Sequence, residues 1–202
     1  MEADALLAQA VAKGREYEQM ITDSEDKQDQ LMEKIAQAEK DYDEATRPVP
    51  EPTVPTTPTT PKPTTPQSPS ADAKWLVPCS YVALTSPFGN RYHPLTGQWK
   101  MHKGVDLAAP EGTPIYATRS GYVTRASYEE GGAGYYVSIN HGDGFASIYM
   151  HMTHYIVSVG QYVEQGQIIG YVGSTGGSTG NHLHFGISFN GEYVNPVNYM
   201  KL

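Results

Sequence analysis

The sequence predicts an all-β, mostly antiparallel domain with Gly-rich loops, carried behind a long helix and a Pro/Thr linker. Three observations lead there. Residues 71–202 hold short runs of Val, Ile and Tyr separated by turn signals such as Gly131-Gly132, Gly142-Asp143-Gly144 and Asn190-Gly191. Residues 3–46 repeat apolar residues in alternating steps of four and three, without a proline. Residues 47–70 contain nine prolines, with Thr in most gaps, and cannot supply a core.

In the helical segment, Leu7, Tyr17, Ile21, Leu31, Ile35 and Tyr42 lie on one heptad seam, which Gly14, Ser24 and Gln28 weaken. Such a segment is either a solvated helix of roughly 65 Å at ~1.5 Å per residue or half of a coiled coil. The second reading expects a partner or self-association through residues 3–46. The Pro/Thr segment favours extended polyproline II and is a stiffened spacer of up to about 75 Å. Domains are therefore expected at 1–46, 47–70 and 71–202.

Within 71–202, strands are expected at 114–118, 121–128, 135–140, 145–151, 168–172 and 182–189. None of the intervals has a helical period.

Charge and cysteine content exclude several functions. Of the net charge of −8, −7 falls in residues 1–47 and −1 in 71–202. Residues 1–47 carry thirteen acidic and six basic groups, whereas 71–202 carry eight and seven. No basic patch stands out, so nucleic acid is not an expected partner. The single cysteine, Cys79, excludes an internal disulfide and reads as a small buried apolar residue. No run approaches the ~20 apolar residues of a membrane span. The N-terminus lacks the basic start and apolar core of a signal peptide. A Thr/Pro spacer nevertheless suits the outside of a cell. The expected location is thus extracellular or in the cell envelope, with this chain a fragment of a longer exported one.

All seven histidines lie between 93 and 184. His102 and Asp106 are four residues apart around Gly104. His182 and His184, two apart on an expected strand, share one face. Imidazole and carboxylate suit zinc, which in catalytic sites takes three protein ligands and leaves one position open. Spacing does not say which of His182 and His184 is the ligand. His154 reads as a surface residue and His141 as structural. His93 and Arg91 are candidates for lining the groove or bracing a ligand. Tyr135, Tyr136 and Tyr149 are candidates for lining it. Gly173–Gly180 lacks the Gly-Lys-Ser/Thr of a phosphate loop and reads as a flexible groove wall.

The stretch SPFGNRYHPLTGQWKMHKGVD at 86–106 resembles the opening of lysostaphin-type (LytM-like) zinc metallopeptidases, which are peptidoglycan endopeptidases. The likeness continues through APEGTPIYATRSGYV (109–123), GYYVSINHGDGFASIYMHM (134–152), VSVGQYVEQGQIIGYVGSTGGSTGNHLHFGI (157–187) and VNPVNYM (194–200). It covers about residues 75–202. The resemblance implies that His102, Asp106 and His184 bind Zn²⁺. It also implies that His151 and His182 are not ligands but handle protons in hydrolysis, their division into base and acid left open. With an unperturbed imidazole near pH ~6.5, a His151 base would lose its function in acid. The implied substrate is the peptide part of bacterial peptidoglycan, at the stem peptide or cross-bridge. The alternative is a catalytically silent peptidoglycan-binding or hydrolase-activating module of the same fold. A lipoyl- or biotinyl-type carrier, suggested by GTPIYATRSGYV and VEQGQIIG, fails because residues 104–200 contain no lysine.

Overall fold

Alternation of side chains across a strand decides how this domain is built. In Gly134–Gly142, Val137 and Ile139 point to one face, and Tyr136, Ser138 and Asn140 to the other; all five are buried. A strand buried on both sides needs a layer above and a layer below. The computed structural model, which describes residues 2–46, 74–92 and 99–202, contains both. The Pro/Thr linker and His93 lie outside the described residues.

The strands, in chain order, are β1 (Ala83–Ser86), β2 (Gly89–Tyr92), β3 (Trp99–His102), β4 (Val105–Ala108), β5 (Pro114–Tyr116), β6 (Gly121–Glu129), β7 (Gly134–Gly142), β8 (Phe145–Tyr155), β9 (Tyr162–Val163), β10 (Ile168–Val172), β11 (His182–Phe189) and β12 (Glu192–Val194). Ten of them form one sheet with the path β1-β4-β11-β8-β7-β6-β9; β12 joins β11, and β10 joins β8 and β5. β2 and β3 form a separate hairpin. The strand pairs are antiparallel, and short glycine-containing turns join β6 to β7, β7 to β8 and β11 to β12. The main core lies on one face, where Val105, Leu107, Ile139, Tyr149, Phe185 and Ile187 are 0 % exposed.

The opposite face is covered by the helix α1 (Glu2–Thr46). Ala, Gln, Glu and Lys dominate its sequence, and Gln19 and Gln37 each donate to an aspartate one turn on, at 2.7 Å. Met32 and Ile35 pack with Ala133, Tyr136, Ile148 and Met150 of the sheet. Burying two such side chains contributes about 1.5–3 kcal/mol each. The buried stripe is Met32, Ile35, Ala36 and Glu39, rotated from the expected seam. Leu31 and Ala38 are only half-buried and Tyr42 is exposed. A sheet, rather than a second helix, covers this part of α1.

Of the six expected strands, 121–128, 135–140, 168–172 and 182–189 agree within two residues at each end; 145–151 runs on to Tyr155 and 114–118 is shorter. Sequence reasoning passed over β1–β4, β9 and β12, which are two to four residues long and too short for a period to register.

Candidate metal centre

The His102 side chain ends β3, and Asp106 lies in β4, one turn later. A Cβ at Gly104 would come within 2.6 Å of the Phe185 carbonyl and 2.7 Å of the His184 ring, so only glycine lets this turn press against β11. β4 and β11 are in register with Asp106 opposite His184, and His182 is two residues away on the same face. The local His-x-x-x-Asp and His-x-His patterns are thus joined by one strand pairing.

Asp106 Oδ1 is 3.2 Å from His102 Nε2 and 2.8 Å from His184 Nδ1; the two ring nitrogens are 3.2 Å apart. Ligands about 2.0–2.2 Å from a tetrahedral zinc are separated by roughly 3.3 Å. The donor set and its spacing therefore fit one small divalent cation. His182 Nε2 is 3.9 Å from the same Asp106 oxygen and stands outside this triangle. Burial alone would raise the pKa of Asp106, but the imidazoles of His102 and His184 against its carboxylate hold it well below the usual range. It is a carboxylate, ready to ligate. Burial lowers the pKa of His184 and favours the neutral ring that a ligand must be.

Backbone carbonyls set the tautomers. A carbonyl only accepts, so a ring nitrogen beside it must donate. His102 Nδ1 donates to Pro87 O at 2.9 Å, leaving Nε2 free to face Asp106. His151 Nδ1 donates to Thr175 O at 2.9 Å, and His182 Nδ1 to Gly180 O at 2.8 Å. Both rings then carry a lone pair on Nε2. Their centroids are 4.7 Å apart, and His151 is 6.2 Å from His184.

His151 reaches this cleft through a β-bulge. Tyr149 pairs with Val137 and Met152 with Tyr135, so Met150 and His151 together oppose Tyr136. His151 adopts φ 64° and its N–H donates to Ala133 O at 2.9 Å. Simple alternation would have put His151 on the face of Tyr149, whose hydroxyl lies in the core against Thr118 and Ser147. The bulge turns the imidazole onto the opposite face. Burial, then the neighbouring His182 and His184, lower its pKa to about 3. The expectation of an unperturbed value is corrected: His151 is held neutral.

The supporting parts were not singled out in the sequence. Thr175 and Gly180 belong to the Gly173–Gly180 loop, read there as a flexible wall. Thr175 Oγ1 donates to Met152 O at 2.6 Å and accepts from Tyr135 N at 3.0 Å, so this loop buttresses His151. Arg91 does brace a candidate ligand: it donates to Ser86 Oγ at 2.8 Å, which is 3.3 Å from His102 Nδ1. Tyr149 does not line the cleft, and Tyr136 lies under α1. His154 is exposed. His141 is buried between Ser120 O and Ser147 Oγ, and its pKa is pushed down to about 3 by burial. Burial pushes the Cys79 thiol up to about 12, which excludes it as a nucleophile.

α1 closes the cleft from above. Glu25, Gln28, Asp29 and Met32 line the same cavity as His102, Asp106, His151, His182 and His184.

Residues 100–196 match peptidase family M23. The chain is 44% identical over 120 residues to the DD-carboxypeptidase/endopeptidase Mpg of Neisseria meningitidis, a match that covers 59% of this chain and 27% of that protein. It thus spans about a quarter of the length of such curated relatives. A zinc-containing peptidase from Vibrio cholerae superposes with a TM-score of 0.58 at 35% identity, covering 61% of this chain and 39% of that one. The catalytic domain of the M23 protein EnpA from Enterococcus faecalis, as its A109H mutant, superposes at 0.51 with 38% identity, covering 57% of this chain and 89% of that domain.

Proposed function

The chain belongs to peptidase family M23, and from that premise we propose that it is a zinc-dependent endopeptidase of bacterial peptidoglycan, working in the cell envelope. The observation that carries this reading is the convergence of His102 Nε2, Asp106 Oδ1 and His184 Nδ1 beside two further histidines with free Nε2 lone pairs. His102, Asp106 and His184 would hold the metal. Zinc bound there would lower the pKa of a water and polarise the scissile carbonyl.

The protein's own groups do the rest. His151 Nε2 takes a proton from the attacking water, since its Nδ1–H is committed to Thr175 O. His182, held by Gly180 O, faces the same space and returns a proton to the leaving amine or stabilises the oxyanion. The Mpg relative's name suggests bonds between D-residues of the stem peptide. One observation favours a second reading, a wall-binding module that does not cut: α1 lies over the site.

Digestion of purified peptidoglycan by the zinc-loaded chain, with mass spectrometry of the released ends, tests both. New amine and carboxyl termini are expected, and none with His151→Ala. Binding to wall without any new ends would overturn the peptidase reading and leave the binding module.

A further inference from the structure

Alternation along the β2–β3 hairpin puts Gly89, Arg91, Lys100 and His102 on one face. Arg91 is directly opposite Lys100. Like charges in that position destabilise a strand pair unless an anion is set between them. Lys103, next to His102, adds a third cation at the same rim of the cleft.

The structure seats carboxylates on all three. Glu25 Oε1 is 3.0 Å from Arg91, and Glu25 Oε2 is 3.3 Å from Lys100. Lys100 is also 2.8 Å from Asp26 and 3.6 Å from Asp29. Lys103 is 2.8 Å from Glu33 and 3.9 Å from Asp29. The link to the metal centre is direct, because Arg91 also holds Ser86 against His102.

The three cations come from the sheet domain, and the carboxylates from a helix lying in the cleft where a peptide would have to enter. With α1 in place, the side chains of Glu25, Lys100 and Lys103 are 16–20% exposed and Arg91 36%, while Asp26 and Glu33 lie at the solvent edge at 59% and 72%.

We propose that Arg91, Lys100 and Lys103 form a carboxylate-binding subsite that selects peptides with free side carboxylates, and that Glu25, Asp26, Asp29 and Glu33 of α1 occupy it here. This rests on the reading of the chain as a wall peptidase. It adds that an acidic peptide is preferred over one whose carboxylates are amidated. Charge-assisted hydrogen bonds of this kind are worth enough for about a tenfold preference.

The test uses the full zinc-loaded chain and two synthetic wall peptides of one sequence, with side carboxylates free or converted to carboxamides. Binding is measured by calorimetry in the E25Q/D26N/D29N/E33Q background, which removes the four helix carboxylates seated on the cations. The acid peptide is expected to bind about tenfold tighter than the amide there, and more weakly to the wild-type chain. Adding K100M/K103M should bring the ratio to within about twofold of one. Circular dichroism checks the fold, and K100M alone supplies the comparison should the double substitution unfold.

Equal binding of the two peptides in E25Q/D26N/D29N/E33Q, no binding of the acid peptide there, or a tenfold ratio that survives loss of the lysines overturns the subsite. Cleavage is scored separately. Selective binding without cleavage overturns the peptidase reading alone, and cleavage without selectivity overturns the subsite alone.

Discussion

Replacing Glu39 by Ala is expected to loosen α1 from the sheet. Glu39 is 4% exposed. Its Oε1 accepts from Ser138 Oγ at 2.8 Å and from Thr124 Oγ1, and its Oε2 from Asn140 Nδ2 at 3.0 Å. Hydrogen bonds to a charged acceptor contribute about 1.5–3 kcal/mol each. Burial of the carboxylate costs several kcal/mol and offsets much of that sum. Thr124 also has Ser138 O at 3.3 Å as a fallback, but the Asn140 amide and Ser138 hydroxyl lose their acceptor. A net loss of about 2 kcal/mol corresponds to a factor of about 30 in the opening equilibrium. Native-state hydrogen exchange reads this directly. Amides of Leu31–Tyr42 should exchange about 30-fold faster in Glu39→Ala, while those of Val137 and Ile139 in β7 change much less. Unchanged protection in α1, or an equal loss in α1 and β7, would refute the reasoning: either Glu39 does not hold the helix, or helix and sheet open as one unit.

Four further outcomes are expected. His184→Ala should lose zinc and His151→Ala should keep it, by elemental analysis; a metal-free His151 variant would make that residue a ligand. Because burial lowers the His151 pKa to about 3, the proposed base stays neutral between pH ~6.5 and ~4. Activity lost in that range should therefore leave together with zinc, and a loss with zinc still bound would contradict it. His141, with a folded pKa of about 3 against ~6.5 unfolded, contributes stability that is full above pH ~6.5 and lost as pH falls toward 3. At pH 5 the loss is about 2 kcal/mol, read as a urea-midpoint slope with pH that flattens in His141→Gln; an equal slope in both would refute it. Residues 71–202 alone should fold, bind zinc and bind a hydrophobic dye more than the full chain, since removing α1 uncovers Tyr136, Ile148 and Met150; a chain that does not unfold cooperatively would show that α1 belongs to the core.

What the sequence made legible was local and periodic. The shared face of His182 and His184 was legible because strand alternation alone puts both on one side. The nearness of His102 and Asp106 was legible because Gly104 announces a turn. The partner of these two pairs was not legible, because the register of β4 on β11 is a long-range fact. The bulge at Met150–His151 also left no mark: it is one extra residue in an otherwise regular strand. The carbonyls of Pro87, Thr175 and Gly180 orient three imidazoles, yet backbone oxygens carry no side-chain signature. For α1, the heptad pattern gave the helix but not its neighbour. A stripe containing Glu39 reads as solvent-facing until Thr124, Ser138 and Asn140 are seen beneath it.

The backbone of His151 bears on how this protein would change under selection. At φ 64° a residue with a Cβ lies in the left-handed region, at a cost of about 1–2 kcal/mol that Gly does not incur and that Asn, Asp and His carry more readily than other residues. A library selected only for heat resistance should therefore return Gly at position 151, and with it a hardier protein that lacks the proposed base. Ala shares the same unfavourable geometry as His, so His151→Ala reports loss of the imidazole with little confounding gain in stability. The same position thus marks where durability and proton transfer pull the chain in opposite directions.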